Sequence, residues 1–82
     1  MNHQRQIFIK TENGSKLITF NPDMKLNELK NLIEDKYNYI KGTYFLKYNG
    51  KPIYDNKKLS EYEIRYDDTI HVVIRAYFNL MT

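Results

Sequence analysis

Apolar and polar residues alternate along "RQIFIKT" and again along "SKLITFN", two β-rich runs separated by "ENG". Such alternation marks strands with one covered face. Asn-Gly between them predicts a two-residue type I′ turn, which wants positive φ at both central positions. With Asn13 and Gly14 in those places, Glu12 faces Ser15, Ile9 faces Ile18 and Ile7 faces Phe20. The four apolar residues then share one face, and Phe8, Lys10, Leu17 and Thr19 take the other.

The period changes after "NPD". In "LNELKNLIEDKYN", Leu26, Leu29, Ile33 and Tyr37 recur at steps of three and four, which predicts one buried stripe on an amphipathic helix. Glu28 suits the positive end of the helix dipole. The N-cap is open: Asp23 is the better chemical candidate but stands early, and Lys25 is a poor cap. A short strand "YFLKY" follows, then "NGKPIY", a second Asn-Gly turn into a brief strand that Pro52 restricts to a sheet edge. "DNKKLSEYEI" reads as a loop with a single helical turn, and Asp67-Asp68 as a turn before the last strand. That strand is predicted from Thr69 to about Tyr77, with Ile70, Val72, Ile74 and Ala76 inward and His71, Val73, Arg75 and Tyr77 outward.

The order is ββαββ with a short connecting element, an α+β layering of one helix on a mixed sheet of four to five strands. The Ile- and Val-rich first and last strands are its natural central pair. They lie parallel, because everything between them forms a long crossover. No repeat, low-complexity block or Pro/Gly/Ser linker divides the chain. The expected organisation is a mobile extension over residues 1–5, a single domain over 6–77 and a tail over 78–82.

Composition narrows the chemistry. The 82 residues are 41% hydrophobic and 28% charged, the balance of a soluble globular domain close to the smallest size that a hydrophobic core alone sustains. Without cysteine, neither disulfides nor a thiolate zinc site contributes. No apolar run is long enough to cross a bilayer and "MNHQRQ" lacks the apolar segment of a signal peptide, so a cytoplasmic or nuclear location and no membrane partner are expected. A net charge of +3 is compatible with acidic protein partners and too small for a strong nucleic-acid footprint. His3 and His71 have no clustered co-ligands for a metal, and no Ser-His-Asp, Cys-His or phosphate-loop pattern occurs. Neither an enzyme, a metal site nor a cofactor is expected.

Taken in order, "QIFIKT", "DK" at the helix end, "NGKPI", "LSEYEI" and "TIHVVIR" resemble ubiquitin segment by segment at nearly the same spacing. The resemblance runs from Gln6 to Arg75 and implies a β-grasp fold, with a first turn one residue tighter than the family's. It also gives Tyr62 a structural role: in the family the tyrosine of this segment pins a loop by bonding its hydroxyl to a nearby backbone group. Lys10, Lys30, Lys36 and Lys51 fall where the family also carries lysines, and are read as solubilising groups.

The family's functional features carry over unevenly. Its conjugated members end in Gly-Gly, which a narrow enzyme channel can enclose because it has no side chains. Here the matching residues are Phe78 and Asn79, and no glycine follows Gly50. The resemblance therefore implies a protein that is not conjugated. The family's apolar docking patch, centred on the third strand, is replaced by Lys47, Glu12, His71 and Val73. Burying Lys47 unpaired against a typical ubiquitin receptor would cost on the order of a few kcal/mol. What replaces the patch is a basic and aromatic surface of Phe45, Lys47, His71, Val73, Arg75 and Tyr77, with Lys51 nearby, rich in the residue types of interface hot spots. Phe8 and Leu17 form a smaller secondary contact.

The expected function is a monomeric, non-covalent ubiquitin-like interaction module, with partners among ubiquitin-pathway enzymes or receptors. The alternatives are an amino-terminal ubiquitin-like domain of a larger protein such as a proteasome shuttle, a conjugated modifier, and a weak nucleic-acid binder.

Overall fold

The structure, a computed structural model, describes residues 5–75. In chain order it contains β1 (Gln6–Thr11), β2 (Gly14–Thr19), α1 (Leu26–Tyr37), β3 (Tyr44–Tyr48), β4 (Lys51–Ile53), a 3₁₀ turn at Leu59–Tyr62 and β5 (Thr69–Ile74). The five strands form one mixed sheet in the order β2-β1-β5-β3-β4. β1 and β5 pair in parallel, as their apolar composition and the long crossover require. The three-residue β4, carrying Pro52, lies at an edge, where a missing backbone N–H leaves no gap in the ladder. One helix packed on a mixed sheet is the β-grasp arrangement.

The core is a single layer between α1 and the sheet. Leu26, Leu29 and Ile33 of the helix meet Ile7, Ile9, Ile18, Leu46, Ile70 and Val72, all buried. Tyr37 packs partly against them, completing the stripe read from the period. Leu59 and Ile64, from the connection into β5, close one end. Fully burying side chains of this size is worth roughly 1.5–3 kcal/mol each, so these positions carry most of the fold's stability.

The first hairpin corrects the expected register. The pairs are Ile7 with Ile18, Ile9 with Lys16 and Thr11 with Gly14, each partner two residues from the one that an Asn13-Gly14 centre gives. The corner falls on Glu12 and Asn13. Thr11 holds it there: its hydroxyl accepts the Asn13 N–H at 3.0 Å and donates to the Gly14 carbonyl at 3.1 Å. Gly14 takes positive φ, 115°, and Asn13 does not. A shift of two preserves parity, so the apolar faces are unchanged and only the cross-strand partners differ. Lys16, on the same helix-side face as Ile18, now pairs with Ile9, and its ammonium lies 5.4 Å from the Tyr37 ring centre. The second Asn-Gly behaves as predicted, with Asn49 at φ 56° and Gly50 at 78°.

Lys25 occupies the N-cap position of α1 and its side chain makes no cap. Partners far along the chain cap the helix instead. The Leu26 N–H donates to the Lys57 carbonyl and the Asn27 N–H to Asn56 Oδ1, both at 2.9 Å, while Glu28 Oε1 accepts the Lys25 N–H. Asp23 lies 4.0 Å from the Lys58 ammonium instead. Asn38 ends the helix in the left-handed conformation.

Candidate protein interface on the open face of the sheet

α1 covers one face of the sheet; among the described residues no element covers the other. Alternation along β3 and β5 sends Phe45, Lys47, His71 and Val73 to this open face. The antiparallel register sets Phe45 beside Val73 and Lys47 beside His71. Arg75 follows β5, tied to the start of β3 by an N–H bond to the Thr43 carbonyl, and its guanidinium lies 5.6 Å from the centre of the Phe45 ring. Lys51 pairs with Tyr48 and takes the parity opposite to Lys47, so it stands at the hairpin end beside this group. Tyr77 lies outside the described residues, as do Ala76, His3 and the apolar tail residues. Phe8 and Leu17 are cross-strand partners on the same open face, two strands away, with Leu17 nearly half exposed.

Two residues join the group that the sequence reading left out of it. Tyr54, exposed and just past β4, lies with its ring 6.2 Å from that of Phe45. Lys10 on β1 pairs with His71 in the parallel register. Alternation already put Lys10 on the open face, but only the β1–β5 register makes it a neighbour of His71. The result is a row Lys10–His71–Lys47 across three strands, flanked by an aromatic corner of Phe45, Tyr54 and Arg75. A shallow concavity of about 390 Å³ adjoins the row, lined by Lys47, His71, Thr69, the Asn49-Gly50 turn, Tyr48 and Asp68.

A tyrosine–carboxylate pair supports that concavity from below. The Tyr48 hydroxyl donates to Asp68, whose Oδ2 also accepts the Arg65 N–H at 2.9 Å, and the Glu63 carbonyl lies 3.2 Å from the same hydroxyl. The bond to Asp68, with burial, pushes Tyr48 up to about 12. Burial, then the bond to Glu34, raises Tyr44 at the other end of β3 as well. The Tyr62 hydroxyl donates to the Asp55 carbonyl and pins the loop before the 3₁₀ turn, as the resemblance implied. Asp68 thus has a structural task that its reading as a turn residue did not reveal.

A second groove, about 380 Å³, runs between β2 and α1 and is lined by Ile18, Thr19, Leu32, Asp35 and Lys36. It lies away from the residues assembled on β3 and β5. Among the described residues, no three His, Cys, Asp or Glu side chains come together as a metal site would need.

The model of a family described as the ubiquitin family matches residues 7–77. The chain belongs to the ubiquitin family. Apart from Gln6 the match takes in all five strands and the helix, so the segment-by-segment likeness, the β-grasp topology and the family agree. Domains of this ubiquitin family are in general modifiers or binding modules, and a role in protein–protein interaction follows for this one. No helix among the described residues is long and apolar enough to cross a membrane.

Proposed function

We propose that this ubiquitin-family domain acts in, or imitates components of, the ubiquitin pathway without being conjugated, binding partners non-covalently through the open face of β3 and β5. The supporting observation is that Phe45, Lys47, His71, Val73 and Arg75 form one continuous group on that face. Its aromatic and arginine content is typical of interface hot spots. Lys47 at the centre disfavours receptors that would bury an apolar patch there, so the partner set is narrower than that of ubiquitin itself. Non-conjugation is supported by Phe78 and Asn79 standing where conjugated relatives carry glycines.

Affinity capture tests the surface. A partner retained by the wild-type chain is lost on Lys47→Glu and on Arg75→Glu; equal recovery by all three rules the surface out. Incubation with activating enzyme and ATP tests the other half of the proposal. No thioester is expected, and a covalent adduct would make the chain a modifier.

A further inference from the structure

The charge on the open face is one-sided. No outward position of the five strands is an aspartate or glutamate. The two ion pairs among the described residues, Lys41–Glu34 and Lys58–Asp23, involve none of Lys10, Lys47 and Arg75. Asp68, which lines the concavity with Lys47 and His71, is committed to Tyr48 and to the Arg65 N–H, and Asp67 accepts from Gln6 at 3.2 Å. Lys10 and Lys47, separated by the strand that carries His71, repel one another weakly, and no carboxylate at an outward position of the described strands relieves them. The interstrand spacing of about 4.8 Å puts the two lysines about 10 Å apart with His71 between them. Same-side side chains of an extended chain lie about 6.8 Å apart, a difference that the flexible lysine stems take up.

We infer that the open face recognises an acidic segment of a partner protein, its carboxylates laid across the Lys10–His71–Lys47 row and a neighbouring apolar side chain seated on the Phe45–Tyr54 corner. This rests on the proposed use of the face and specifies the chemistry of the partner. Lysine ammonium groups and the histidine ring act as donors to carboxylate oxygens. The aromatic corner supplies an apolar anchor beside them, and Arg75, stacked over Phe45, forms its charged rim. A nucleic acid fits less well. Its closely spaced phosphates call for a long basic track, whereas the net charge of the whole chain is +3.

Three short labelled probes distinguish the outcomes: a peptide with a central leucine flanked by glutamates, the same peptide with glutamines, and an oligothymidine. The full chain is expected to bind the glutamate peptide about tenfold more tightly than the glutamine peptide at low salt, an advantage that shrinks as salt rises. Lys10→Gln and Lys47→Gln should each lower glutamate-peptide affinity and leave the glutamine peptide unaffected. Indistinguishable binding of the two peptides, or none, overturns the inference; tighter binding of oligothymidine overturns it in favour of a nucleic-acid surface. Amide NMR signals separate this from failure of the face itself. If both peptides shift Phe45, Val73 and Arg75 equally, the face is an interface and only its acidic preference is wrong. If neither shifts them, and both charge-reversal variants capture the wild-type partner, the face is wrong too.

Discussion

Neighbouring residues of the same strands serve two environments in this sheet. Leu46 and Ile70 point to the helix and are fully buried, whereas Phe45, Lys47 and His71, one step along, point to the open face. The covered face is aliphatic apart from its margins, where Lys16, Tyr44 and Tyr48 keep polar tips at the edge. The open face mixes lysine, histidine, aromatic and small polar residues in a pattern that burial does not explain. Because folding free energy comes from one parity, the other parity can change charge and shape at little cost to the fold. Lys47 can thus stand on a third strand that still folds as the family's does.

The sharpest way to break the comparison is to shorten one residue on each face. Leu46→Ala should cost about 2–5 kcal/mol, since the cavity it leaves is enclosed. Phe45→Ala should cost under about 1.5 kcal/mol, being half-buried, yet weaken partner capture. Urea unfolding followed by circular dichroism measures both, and equal losses would mean that the two faces are not energetically distinct.

Next in size is Tyr48→Phe, which removes a hydrogen bond to a charged group at the margin of the covered face and should cost about 1.5–3 kcal/mol. Its pH dependence has a definite sign. The folded state raises Tyr48 from 10.0 to about 12. That contribution is complete below pH 10 and disappears as pH rises through 12. Tyr44, also raised, acts in the same direction. Stability of the wild type should therefore fall in alkali above pH 10, and fall less steeply in the variant. A variant with an identical alkaline slope would remove Tyr48 from this account.

Tyr37→Phe reverses the direction. The Tyr37 hydroxyl is buried with no hydrogen-bond partner among the described residues. Removing it should leave stability unchanged or raise it by up to about 1 kcal/mol, visible as a higher melting temperature. A loss would show that the hydroxyl has a partner in solution. The smallest effect is expected on the open face: Lys47→Gln should gain about 0.2–0.5 kcal/mol at low salt, a gain abolished at high salt. A salt-independent change would mean that repulsion along the row is not its origin.

The two Asn-Gly dipeptides show how far local reading reaches. Asn49-Gly50 adopts the expected pair of positive φ angles, because the strands meeting there have no competing turn former. At Asn13-Gly14 the Thr11 hydroxyl offers the backbone another arrangement, and the corner moves back by one residue. The cap of α1 was illegible for a different reason. Its acceptors, Asn56 Oδ1 and the Lys57 carbonyl, lie far downstream and no local pattern points to them. The site divides in the same way. Phe45, Lys47, His71, Val73 and Arg75 follow from alternation and strand order, whereas Lys10 and Tyr54 join them only through register and ring contact.

Alternation of period two, one stripe of helical period and the order of elements were sufficient to specify the strands, the helix, the covered face and the central parallel pair. These features depend on which residues must leave water, and hydrophobicity is a property of each residue. The cross-strand partners, the distant cap, the Tyr48–Asp68 bond and the Lys10–His71–Lys47 row were decided only when the chain closed on itself. Each depends on a distance between groups remote in sequence, and packing alone sets that distance.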